Sequence, residues 1–290
     1  MATDIIVPSS FAPVILPPEE VVLPEPVTPQ PEPTFLKTDL RRHTLKSPLL
    51  GGKREIVVYL PPDYEKNTAE RYPVLYMQDG QNLFDPETSF VKGNPWRLDQ
   101  AAETGIKAEK VKPMIIVGIY NAGDKRIYEY TATKDPKHRK GGKAKRYLRA
   151  IIEDVKPFID QTYRTMPCAH NTGIGGSSLG GLFALYAAME APQVFGRVAA
   201  MSPSAWWDRR MIVGRVASML PKPRQTVWLD IGTHEGLSTL EDARKLRDAF
   251  ESAGWIEGND LKYTEAKDAG HDEGAWAARS RPMLEFLFPA

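Results

Sequence analysis

Cysteine is all but absent. Cys168 stands alone among 290 residues, which excludes an intrachain disulfide and any thiolate cluster around a metal. No excess of one charge is present either: 38 Lys and Arg face 37 Asp and Glu, for a formal net charge of +1. Such a surface exerts no long-range pull on nucleic acid or an anionic membrane, so the expected partner is a small molecule and neither of those. No stretch approaches the ~20 apolar residues that cross a bilayer. The first Lys or Arg is Lys37, and no basic start leads into an apolar run, so a secretory signal is not read here. As written the chain reads as cytoplasmic; a leader removed ahead of Met1 would make it secreted or periplasmic. Internal repeats are also missing.

Proline, by contrast, is concentrated in one place. Between residues 8 and 33 it recurs every few positions, and each one removes an amide donor and drives the residue before it out of helical geometry. Residues 1–44 are expected to form a proline-rich N-terminal extension, extended or disordered, acting as a linker, a stalk or an arm whose ILPP and VVLP pieces favour docking. Residues 45–290, about 245 in all, suit one large domain. Within it strand and helix signals alternate, which argues for an α/β protein with a mostly parallel sheet covered on both faces. Strands are expected at 55–60, 74–77, 114–120, 197–202, 226–231 and 261–266. Helices are expected at 147–163, kinked by Pro157, at 239–253, stopped by Gly254, and at the C-terminus.

Residues 172–189 read TGIGGSSLGGLFALYAAM. Within them Gly176, Ser178 and Gly180 match Gly-x-Ser-x-Gly, the sharp strand-to-helix turn that exposes a serine nucleophile. A flexible Gly/Ser loop or a phosphate cradle is the rival reading, and the missing Lys argues against a P-loop. A serine hydroxyl must lose its proton as it attacks, and histidine titrates in the range to take it. Of five histidines only His234 and His271 follow Ser178, as the chain order serine, acid, histidine requires. His271, in the polar loop DAGHDEGAW after the last strand, is the expected base, and His234 a neighbour of the acid. For the carboxylate that orients the imidazole, TVWLDIGTHEG offers two candidates: Asp230, still inside its strand, and Glu235, beyond the turn. Glu235 is preferred. Asp268 and Asp272 are read as solvated loop charges.

Acyl transfer also needs donors for the oxyanion. The backbone amide of Leu179 follows the nucleophile, and the turn in YPVLYMQDGQNLF supplies the Gln81 amide. Trp206 and Trp207, in MSPSAWWD, are candidate walls of the acyl pocket or core aromatics. Arg126, with Glu129 and Tyr130, either lines the entrance or forms an ion pair over a packed ring. Seven of the thirteen residues 134–146 are Lys or Arg; without interleaved aromatics this run reads as a solvated loop.

Taken together, TLKSPLLGGKREIVVYLPPDY, YPVLYMQDGQNLFD, IIVGIYNAGDKRIYEYT, GIGGSSLGGLFALY, MSPSAWW, LDIGTHEG and AGHDEGAW, in that order, resemble the "putative esterase" family of α/β hydrolases over residues 45–287. That family includes esterase D-like, feruloyl, acetyl-xylan and enterochelin esterases. The resemblance implies an α/β-hydrolase fold and a serine carboxylic ester hydrolase working through an acyl-enzyme on small or sugar-linked esters, with no cofactor and no metal. It also implies nucleophile Ser178, acid Glu235 and base His271; the family often carries Asp in the acid position. Two alternatives stand beside it: an acyltransferase using the same three residues, and a non-catalytic carbohydrate-binding or scaffold protein of this fold.

Overall fold

The computed structural model describes residues 39–219 and 225–290. The expectations for residues 1–38 therefore lie outside the described residues. Residues 40–44, read from sequence as part of the extension, belong to the first strand of the sheet. The eight strands are β1 Leu40–Ser47, β2 Gly52–Tyr59, β3 Val74–Gln78, β4 Ile115–Ile119, β5 Thr172–Ser177, β6 Arg197–Met201, β7 Thr226–Gly232 and β8 Leu261–Ala266. They form one sheet in the order β1-β2-β4-β3-β5-β6-β7-β8. The first two strands pair antiparallel with their neighbours, and the rest run parallel from β4 to β8.

The helices are α1 Leu98–Lys107, α2 Arg126–Glu129, α3 Ala144–Ala150, α4 Lys156–Thr162, α5 Leu179–Glu190, α6 Trp207–Ala217, α7 Leu237–Ser252 and α8 Glu273–Leu287. Alternate strand residues serve opposite layers, as the two-residue repeat of a pleated strand dictates. Val58, Tyr76, Val117, Ala200 and Leu229 face the layer built on α3, α5, α6 and α7. Tyr59, Met77, Ile116, Met201 and Trp228 face α1 and α8. Every residue of β3, β4, β5 and β6 is buried, which explains why these strands read as continuous apolar or small-residue runs rather than alternating ones.

The helix expected at 147–163 begins earlier and contains a π turn, Ile151–Val155, between α3 and α4. Pro157 cannot donate to the carbonyl four residues back and its ring crowds that carbonyl, so the wider turn beside it relieves both faults without a break. Helix α1 had no counterpart in the sequence reading. The first turn of α6 winds left-handed at Asp208, Arg209 and Arg210, with φ of 44°, 56° and 65°. That geometry crowds each Cβ against the following carbonyl.

Candidate active site

Ser178 sits between β5 and α5 with φ 56° and ψ −123°, a conformation that costs a residue with a side chain on the order of 1–3 kcal/mol. The glycines around it are forced by space. A Cβ on Gly176 would lie 2.8 Å from the Gly180 carbonyl carbon, and one on Gly180 would lie 3.1 Å from Gln78 Cβ. The bend is held by the Ser178 amide donating to Met201 O at 3.0 Å and by Ser204 N–H donating to Ser178 O at 3.0 Å. The serine hydroxyl lies 3.3 Å from the hydroxyl of Ser204. Leu179 begins α5, where the first amides have no acceptor inside the helix.

The strand next to β5 is β3, and the turn that follows it carries Gln81. Asp79 there is left-handed at φ 55°, and a Cβ on Gly180 would come within 3.3 Å of its carboxylate, so turn and serine bend touch. The turn closes through Asn82 N–H to Asp79 O at 2.9 Å, a bond that leaves the Gln81 amide out. Arg126 grips Asp79 with Nε at 2.7 Å and Nη2 at 2.8 Å. Asn121 adds a donor to Asp79 at 2.7 Å, and its amide donates to Gln81 Oε1 at 3.2 Å. The Asp79 amide meets the Tyr130 hydroxyl at 3.1 Å, and Arg126 lies 4.9 Å above the Tyr130 ring. Burial pulls the guanidinium down, but Asp79 outweighs it and holds Arg126 above the ordinary arginine range. Arg126 thus forms an ion pair over a packed ring, with Asp79 as its partner. Glu129 pairs elsewhere, with Arg54 at 2.9 Å.

His271 and the two candidate acids meet at the far side. His271 Nδ1 lies 2.6 Å from Glu235 Oε2, and its ring stands edge-on to Trp276 at 5.0 Å. Glu235 is 1% exposed and the imidazole 42%. The other carboxylate oxygen, Oε1, accepts from Gly232 N–H at 2.7 Å and from the Ser202 hydroxyl at 2.5 Å. Ser202 receives Trp276 Nε1 at 3.0 Å and Arg279 Nη2 at 2.9 Å. Both of those groups can only donate, so the single hydroxyl proton of Ser202 must go to Glu235. Glu235 Oε1 is thus pinned as an acceptor; with the carboxylate ionised, Oε2 accepts from Nδ1–H, the tautomer that leaves Nε2 bare.

Asp230 is fully buried and engaged within the same group. It accepts Ser202 N–H at 3.1 Å and Trp228 Nε1 at 2.7 Å, and pairs with Arg279 at 3.2 Å. It therefore supports Glu235, and it is Glu235 that meets His271. His234 pairs with Asp268 at 3.4 Å, both exposed, as a loop neighbour should. Asp272 is exposed, in keeping with its reading as a solvated charge, and its carboxylate also caps α8 by accepting from Ala275 N–H at 2.9 Å.

Ser178, Ser204, Trp206, Glu235 and His271 line one cavity of about 240 Å³. Trp206, 40% exposed, also walls an adjoining cavity of about 560 Å³ bounded by Lys137, His138 and Arg209. Trp207 requires a correction. At 1% exposure, donating to Thr133 O at 3.1 Å and stacked on His138, it is core rather than pocket wall. Ser202, Trp276 and Arg279 were missed in the sequence. The available signal was Arg279 and Ser280 sitting in the Trp276, Met283 stripe of a buried helix face. Among the described residues no group of three or more His, Cys, Asp or Glu side chains is placed to hold a metal ion.

Known proteins bear on this arrangement. YbbA of Bacillus subtilis, an uncharacterized protein, is 24% identical over 250 residues, covering 82% of this chain and 94% of that one. The iron(III) salmochelin esterase of Escherichia coli O6:H1 is 27% identical over 243 residues, 79% of this chain but 53% of that enzyme, so the chain spans about half its length. A solved ferulic acid esterase superposes with a TM-score of 0.68 at 21% identity, over 87% of this chain and 99% of the other. The enterobactin esterase of Shigella flexneri in the presence of enterobactin gives 0.68 at 20%, over 87% and 59%. At those identities the likeness establishes the α/β-hydrolase fold. The family model for "Putative esterase" matches residues 47–287, so the chain belongs to that family of esterases.

Proposed function

We propose that this protein is a serine carboxylic ester hydrolase acting through an acyl-enzyme. Ser178 is the nucleophile, His271 its base and Glu235 the acid that orients the base. The observation that carries the reading is the fully accounted carboxylate of Glu235: one oxygen is spent on Gly232 and Ser202, and the other holds His271 Nδ1 beside the cavity that contains Ser178. Attack requires the Ser178 hydroxyl to turn from Ser204 toward Nε2. The proton passes to His271 as the oxygen bonds to the ester carbon, and the Leu179 and Gln81 amides receive the charge on the carbonyl oxygen. His271 then protonates the departing alcohol. The same ring takes a proton from water as the water oxygen bonds to the acyl carbon, then returns it to the Ser178 oxygen as that bond breaks and the acid is freed.

Ester-cleaving relatives named for salmochelin, enterobactin and ferulic acid support a small-molecule ester with a ring-bearing acyl group. Carbohydrate-linked feruloyl esters fall within that class. Trp206, exposed between the two cavities, is the surface on which such a ring would stack. The test is covalent labelling with a fluorophosphonate followed by peptide mass spectrometry. The adduct is expected on Ser178 and lost in His271→Ala; labelling at another residue would overturn the reading.

A further inference from the structure

We infer that Arg279 is a positioning residue that sets the charge felt by His271, by balancing one of the two buried carboxylates behind it and leaving the other unbalanced. This rests on the reading of His271 as the base. Helix α8 brings Trp276 and Arg279, three residues apart, onto one face. There Arg279, 7% exposed, approaches Asp230 at 3.2 Å and Glu235 at 3.9 Å. Two carboxylates, 0% and 1% exposed, share one guanidinium.

Burial pushes the Asp230 carboxyl above the ordinary aspartate range, and Arg279 is the foremost group opposing this, with Trp228 and Ser202 behind it. Two carboxylates this close cannot both stay ionised in a dry interior without a cation. Arg279 permits it. With both carboxylates ionised the cluster carries one net negative charge, directed through Glu235 at a ring that becomes positive during the reaction. Arg279 Nε and Nη1 make no hydrogen bond among the described residues. Its position between the carboxylates is therefore what it supplies, more than a full set of donors. Glu273 at the start of α8 interacts with His271, and Asp272 and Asp79 act in turn on Glu273; the exposed His234–Asp268 pair lies on the neighbouring loops. They stay unchanged in the variants below.

The inference is tested by exchanging charges in pairs. Asp230→Asn leaves Arg279 against Glu235 alone, so the cluster becomes neutral and the imidazolium loses support. The acid limb of kcat/KM and the NMR titration of His271 should both move to lower pH, by on the order of one unit. Adding Arg279→Met removes the cation and restores the single negative charge. The double variant should return both curves close to the parent, and Arg279→Lys alone should leave them in place. A merely structural role predicts the reverse: the double variant is at least as slow as Asp230→Asn and the curves do not return. That result, or an unmoved limb in folded Asp230→Asn, would overturn the inference. Retained activity in His271→Ala would instead refute the base assignment, while the NMR titration would still report the sign of the charge effect.

Discussion

Two guanidinium–carboxylate clusters flank the serine bend, and they are built to different charge counts. On the turn side Arg126 meets Asp79 alone, with two donors, and Asn121 adds a third. One positive charge closes on one negative charge. Such a pair can hold a backbone in place but has nothing left to offer a reacting group. On the acid side Arg279 faces both Asp230 and Glu235, and one carboxylate charge is left over, aimed at His271. The difference fits the chemistry proposed for each side. Oxyanion stabilisation needs amides fixed in direction, whereas the base needs a field that favours its charged form as it accepts a proton.

Breaking the acid side should have the larger effect. Glu235→Gln keeps the shape of the side chain but offers His271 a neutral amide, and a mis-set tautomer is costly. Turnover of a p-nitrophenyl ester should fall by about 10³- to 10⁴-fold with KM little changed. A loss under tenfold would show that Asp230 can take over as the acid. Breaking the turn side by Arg126→Met should cost less, about 10²- to 10³-fold in kcat, through a misplaced Gln81 amide. The cost should shrink when Asp79→Asn is added, because the stranded buried carboxylate is then neutral. If Arg126→Met raises KM and spares kcat, the arginine binds substrate and the turn does not depend on it.

The two sides also differed in how far the sequence revealed them. The serine bend was legible because its constraint is local: Gly176 and Gly180 are needed within two residues of Ser178 for reasons of space. Glu235 and His271 were legible through chain order and strand ends. Asp230 and Glu235 were both visible as carboxylates at the end of β7, but their division of labour depends on Ser202, Trp276 and Arg279, which arrive from β6 and α8. No spacing along the chain encodes that meeting. Trp206 and Trp207 show the same limit. They are adjacent and chemically alike, and only the left-handed first turn of α6 and the site under His138 decide that one faces the cavities while the other is buried. Residues 40–44 read as extension in the sequence because their side chains are exposed or half-buried, as in an edge strand mostly facing solvent, with no apolar run to mark it.

Glu273 sharpens the comparison, because it stands between the clusters without a guanidinium of its own. It is buried at the start of α8, 3.5 Å from Asn82 Nδ2 on the turn side, and next in sequence but one to His271. Burial raises its carboxyl above the ordinary glutamate range; Asp272 and Asp79 add to this, while its own backbone amide and His271 oppose it. A carboxyl that holds its proton more tightly when folded stabilises the fold at low pH. That stability is fully present below the unfolded pKa and is lost as pH rises through the folded one. As pH rises the native state therefore meets the cost of a charge that burial disfavours. Glu273→Gln removes that cost and keeps the size of the side chain. Its Tm at pH 7 should exceed the parent's, by on the order of a few °C for a chain of this size. Below pH 4, where both side chains are neutral, the two melting curves should coincide. Thermal unfolding followed by circular dichroism at both pH values checks it. A variant less stable than the parent at pH 7 would mean that the charge of Glu273 is balanced after all, as Asp79 is by Arg126.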